Sequence, residues 1–116
     1  MACSISREEL RSKIEQATGR VVILEALPEK YYLNSHLPGA LNLPHDRVQE
    51  LAPRLVPDKG AEIATYCASR TCPNSHIAAA ALEALGYTNV SVYAEGKQDW
   101  IAAGLPVEKG RAAEAA

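Results

Sequence analysis

Short apolar runs and stretches of helical spacing alternate along this chain. The continuous aliphatic run at residues 21–24 has strand length and no polar face, the pattern of a strand buried on both sides of a parallel sheet. Residues 40–43 form a second short apolar run, stopped by Pro44. Residues 63–66 (Ile-Ala-Thr-Tyr) read as a third, and residues 90–93 alternate as a fourth. Cys3, Ser4 and Ile5 suit a short edge strand. Between these runs the period changes. Ser6 with Glu9 has capping-box spacing, so a helix begins there, carries Leu10, Ile14 and Ala17 on one face, and stops at Gly19. A short helix is expected over 28–33 and a tight turn over 34–40. An acidic-capped amphipathic helix is expected over 46–55, with Val48, Leu51 and Leu55 inward and Pro53 limiting it. A third strong pattern spans 77–85, with Ile77, Ala81, Leu82 and Leu85 near one stripe and Gly86-Tyr87 as its stop. A short helix from Gly96 through Trp100 to Ala103 precedes an extended segment over 104–107.

Strands alternating with helices mean an α/β fold with a parallel sheet. Ligands of such sheets bind beyond the C-terminal strand ends. Cys67 stands at such an end, between the run at 63–66 and the helix that follows Pro73, Asn74 and Ser75. Strand, cysteine, turn, helix aims backbone N–H groups and the helix dipole at one sulfur, which favours the thiolate and holds an anion beside it. The same position also suits a cysteine that simply fills the core. Both readings stand on position alone.

Composition narrows the function. At 116 residues the chain is long enough for one core without staples, expected as one domain over 1–109 with a loosely held tail over 110–116. A net charge of −2, with both signs interspersed, gives no basic footprint for nucleic acid. No apolar run approaches membrane length, and nothing resembles a signal peptide. Three cysteines make no disulfide framework. The expected home is a reducing cytoplasm, where a cysteine pair is more often catalytic, redox-active or metal-binding than structural. Cys67, Cys72 and His76 are one ligand short of a structural zinc site, so neither metal nor cofactor is expected. Cys3 reads as a small edge-strand filler.

Three segments in order resemble the rhodanese-like domain, over about residues 5–107. His36-Leu37-Pro38-Gly39-Ala40-Leu41-Asn42-Leu43-Pro44 matches the family's His-Ile-Pro-Gly-Ala-x-Asn-Ile-Pro signature with aliphatic swaps. Thr65-Tyr66-Cys67 matches the strand end that carries the family's nucleophile. Gly96, Trp100 and Gly104-Leu105-Pro106-Val107 match its Gly-x-x-x-Trp-x-x-x-Gly-x-Pro-Val ending. The resemblance implies a three-layer α/β sandwich with a five-stranded, mostly parallel sheet flanked by helices. It further implies a sulfurtransferase or persulfide carrier in which Cys67 takes sulfur from a donor such as thiosulfate and passes it to cyanide or a thiol, on a small molecule or a protein. Ala68, Ser69, Arg70, Thr71, Cys72 and Ser75 would form the binding loop. His36 is expected to fix a turn, and Trp100 to anchor the core.

The chain also departs from the family. Glu25-Ala26-Leu27 stands where Asp-x-Arg is usual, so the carboxylate is kept and the arginine lost. Ala68 follows Cys67 in place of a frequent arginine, the loop has no glycine, and Ser75 lies later than the matching serine. A wider loop is similar to that of rhodanese-related phosphatases and arsenate reductases, but no arginine closes it to clamp an oxyanion. Cys72, five residues after Cys67, resembles a Cys-x-x-x-x-Cys subgroup and is either a resolving thiol or a core-facing loop residue. The alternatives are therefore a dithiol redox enzyme using Cys67 and Cys72, or a catalytically weak module that binds or senses sulfur.

Overall fold

A computed structural model describes residues 3–15 and 21–110, so Ala17, Gly19 and all but the first residue of the expected tail lie outside the described residues. Five strands form one sheet: β1 (Cys3–Ser4), β2 (Val22–Glu25), β3 (Leu41–Asn42), β4 (Ile63–Tyr66) and β5 (Val90–Tyr93). Their order is β1-β5-β4-β2-β3, and every neighbouring pair is parallel. Antiparallel pairing among the described residues is confined to one bridge, His36 to Glu108. The strand expected over 40–43 is shorter than its apolar run, because only Leu41 and Asn42 reach β2 in register. β4 is central, with β2 and β5 on either side, as its continuous burial requires.

Helices cover both faces, which gives three layers. α1 (Arg7–Glu15), α2 (Glu29–Asn34) and α5 (Gly96–Ala102) supply Leu10, Tyr32 and Trp100 to one core with Ile23, Ala64, Tyr66 and Tyr93. α3 (Val48–Leu55) and α4 (Asn74–Ala84) supply Val48, Ala52, Ala78, Ala79 and Leu82 to the other, with Leu24, Ile63, Val90 and Val92. Ile63 and Ala64 thus face opposite cores, the period-2 alternation of a strand. The capping box on α1 is formed in both directions: Ser6 Oγ accepts from Glu9 N–H, and Glu9 Oε1 accepts from Ser6 N–H.

Several expectations are corrected. The buried stripe of α4 is Ser75, Ala78, Ala79 and Leu82, whereas Ile77 is 46 % exposed. The expected phase failed because the alanines make the periodicity nearly flat, so one large isoleucine set it. α3 begins at Val48 instead of Asp46 and carries Pro53 within its last turn, where the missing N–H costs one bond near an end. Cys3 is exposed on the edge strand and fills nothing. Among the described residues no helix is long and apolar enough to cross a membrane.

Candidate active site

β4 ends at Tyr66, and residues 67–73 curl from it to the start of α4. Cys67 is buried at the first position of this loop. Cys72 closes back on it: the two sulfurs are joined as a disulfide, with Cα atoms 6.1 Å apart. That spacing lies within the range a bridge spans without moving the backbone. The return is built by Cys72 N–H donating to the Ser69 carbonyl, with the Ser69 and Thr71 hydroxyls 3.2 Å apart.

The loop is held from behind by α5. Lys97 N–H donates to the Cys67 carbonyl and Gln98 N–H to the Ala68 carbonyl, both at 2.8 Å. Gly96 makes this approach possible. Its φ is +78°, and a Cβ there would lie 2.8 Å from the Cys67 oxygen and the Ser69 nitrogen. The Cys67 and Ala68 carbonyls therefore point toward α5. Among the described residues, no backbone or side-chain acceptor takes the N–H groups of Ala68, Ser69, Arg70 or Thr71. Four loop donors are therefore without a protein partner among the described residues.

The other predicted loop residues are less uniform. Arg70 is 78 % exposed at its side chain and sits at the rim, 3.7 Å from Glu95. Ser75 lies outside the loop, buried in the first turn of α4, where its carbonyl accepts from the Thr65 hydroxyl. Leu27, where the resemblance implied an arginine, is buried in the wall of a cavity of about 610 Å³ shared with Tyr31, Ala68, Ser69 and Ile101.

Beneath the loop is a polar knot that the sequence reading missed. Glu25, at the end of β2, is fully buried. Its carboxylate accepts from the Tyr66 hydroxyl at 2.6 Å and from the Lys97 ammonium at 3.2 Å to each oxygen. Lys97 Nζ also donates to the Ser35 carbonyl at 2.6 Å and the Tyr31 carbonyl at 3.1 Å. Burial pushes the Glu25 carboxyl above its ordinary range, opposed by the Tyr66 hydroxyl, then Lys97, then His36. Burial likewise drives the Tyr66 phenol upward, with Glu25 adding to it, so Tyr66 stays a donor. Its oxygen accepts in turn from Leu37 N–H, which ties the knot to the turn that follows His36. One signal for Lys97 was available. It stands three residues before Trp100 in a helix, and that spacing shares the buried face.

His36 and Trp100 serve as expected. His36 stacks on Tyr32 with its Nδ1 2.9 Å from the Tyr32 carbonyl, and its backbone pairs with Glu108. Trp100 is buried, and its indole N–H donates to the Pro106 carbonyl.

Comparison with known proteins places this geometry. The chain is 33 % identical over 108 residues to an HTH-type transcriptional regulator of Mycobacterium tuberculosis; the match covers 92 % of this chain and 45 % of that protein, so this chain spans less than half of its relative. It superposes on a thiosulfate sulfurtransferase from Pseudomonas aeruginosa with TM-score 0.82 and 27 % identity, covering 95 % of this chain and 21 % of the other. A rhodanese with anions from E. coli aligns at 30 % identity and TM-score 0.65, over 78 % of this chain and 99 % of that one. The family description that fits residues 6–103 is the rhodanese-like domain, and the chain belongs to that family.

Proposed function

We propose that this protein is a sulfurtransferase or persulfide carrier whose nucleophile is Cys67. The observation that carries the reading is the position of Cys67 at the C-terminal end of the central strand, opening a loop with four uncommitted N–H donors. The reduced thiolate attacks the outer sulfur of a donor such as thiosulfate. A Cys67 persulfide forms, and the S–S bond of the donor breaks to release sulfite. The terminal sulfur then passes to cyanide as thiocyanate, or to an acceptor thiolate as its persulfide, and Cys67 leaves as thiolate. The loop N–H groups stabilise both anions, and exchange with two equivalents of an external thiol, itself oxidised to a disulfide, first returns the Cys67–Cys72 pair to thiols. No metal or cofactor enters these steps.

The test is intact-mass analysis of the reduced protein after incubation with thiosulfate. We expect a gain of one sulfur atom that cyanide removes, and no gain in Cys67→Ser. Loading on Cys72, or turnover by Cys67→Ser, refutes the nucleophile.

The Cys67–Cys72 disulfide favours a second reading, a dithiol module that senses or resolves. A peroxide-class oxidant converts the Cys67 thiolate to a sulfenic acid, and the Cys72 thiolate then attacks that sulfur, closes the disulfide and expels hydroxide, which leaves as water. The likeness to a transcriptional regulator suits such a sensing role. Loss of two hydrogens under mild oxidant, with no sulfur uptake from thiosulfate, would select it over the first.

A further inference from the structure

We propose that Lys97 is the positioning residue of this site: it supplies from α5 the cation for the buried Glu25 at the end of β2, and through Glu25 it sets the loop that carries Cys67. The inference rests on Cys67 being the reactive thiol. Leu27 cannot neutralise Glu25, yet the carboxylate is present and fully buried. A buried carboxylate needs a cation and hydrogen bonds to remain ionised. Lys97 supplies the cation, and it comes from a different element.

The geometry makes Lys97 more than a charge partner. An ammonium has three protons, and here they meet Glu25, Ser35 O and Tyr31 O, so none is left for a substrate. Lys97 therefore acts through other groups and touches no reacting atom. Its backbone N–H holds the Cys67 carbonyl, while its side chain holds the end of β2, the Tyr31 carbonyl of α2 and the Ser35 carbonyl just after that helix. Tyr66, which immediately precedes Cys67, is bonded to the same carboxylate. Cys67 is thus fixed from both sides by groups that converge on one ion pair. The charged or titratable groups facing Glu25 are Lys97 from α5, Tyr66 from β4 and His36 from the segment after α2. Removing the ammonium leaves Tyr66 and His36 to oppose burial.

The test compares Lys97→Met, Lys97→Arg and the double variant Glu25→Gln/Lys97→Met. Two rates are measured on reduced protein well below each melting point: sulfur loading from thiosulfate, and Cys67 alkylation by iodoacetamide across pH. We expect Lys97→Met to load and alkylate at least about tenfold more slowly, since a small misplacement of a reacting group costs that much or more. Its alkylation profile should shift along the pH axis, and Lys97→Arg should recover part of the rate. The double variant removes the lone buried charge, so it folds even where Lys97→Met does not, and it should show the same rate loss. Wild-type rates and an unmoved pH profile in folded Lys97→Met, or in the folded double variant, overturn the proposal. Alkylation needs no sulfur donor. If the wild type takes no sulfur at Cys67, the transferase reading fails while the alkylation arm still decides the role of Lys97.

Discussion

Replacing Tyr66 by phenylalanine removes one oxygen atom from beneath the loop while leaving the ring in its core. That oxygen donates to Glu25 Oε1 at 2.6 Å and accepts from Leu37 N–H at 3.1 Å. A hydrogen bond to a charged group contributes about 1.5–3 kcal/mol, and an orphaned buried N–H costs about 1–3 kcal/mol. The two are not independent, so the expected loss is about 3 kcal/mol. For a chain of this length that is a drop in Tm on the order of 10–15 °C. The loss depends on pH, and its sign follows from Glu25. Burial already raises this carboxyl in the folded state, and the hydrogen bond from the Tyr66 hydroxyl is the largest single contribution opposing the rise. Without it the carboxyl rises further. A folded pKa above the unfolded value means that the stability tied to the proton is complete below the unfolded carboxyl pKa and is lost as pH rises through the folded one. The variant loses more of it than the wild type. Urea denaturation of reduced protein at about pH 4 and about pH 7 should therefore give a larger difference at the higher pH. A gap under about 1 kcal/mol, or one larger in acid, would refute the reasoning.

Three further outcomes are expected. Gly96→Ala should destabilise by about 1–2 kcal/mol from the left-handed backbone alone, and by more from its contacts with Cys67 O and Ser69 N; unaltered melting would contradict the close approach. Arg70→Ala should leave melting unchanged, since its pairing with Glu95 is long and exposed, while raising KM for thiosulfate more than it lowers kcat; an unchanged KM makes Arg70 a solvated charge. Cys72→Ser should still load sulfur on Cys67 but show faster peroxide over-oxidation, read as added oxygen by mass; equal over-oxidation ends the resolving role.

Legibility differed by kind of information. The five strands, the parallel character of their sheet and the place of Cys67 at a strand end were readable, because burial imposes apolar runs and period changes that sequence displays directly; the order of the strands was not. Of the two readings open for Cys72, resolving thiol or core-facing residue, the structure shows its sulfur turned to Cys67. The face of α4 was not readable: alanines bury as easily as they stay exposed, so the stripe had no phase. Lys97 was missed for another reason. Its partner Glu25 is distant in sequence, and pairing across elements leaves no local pattern. The resemblance implied an arginine where this chain has Leu27; only three dimensions show Lys97 beside the Glu25 carboxylate.

The grip of α5 on the loop carbonyls has a dynamic consequence. The amide protons of Lys97 and Gln98 exchange with solvent only when Cys67 and Ala68 let go, so they act as reporters of loop release. The far limb of the loop is tied differently, through Cys72 to Ser69 and through Pro73 to the first turn of α4. Once the Cys67–Cys72 bridge is reduced, the two limbs are held by different helices, the near one by α5 and the far one by α4. Chemistry at Cys67 that slackens the near limb would register first in the amides of α5, with those of α4 still protected. In this fold the state of one sulfur is read in the exchange rates of a helix that lies beyond α4 and β5 in the chain.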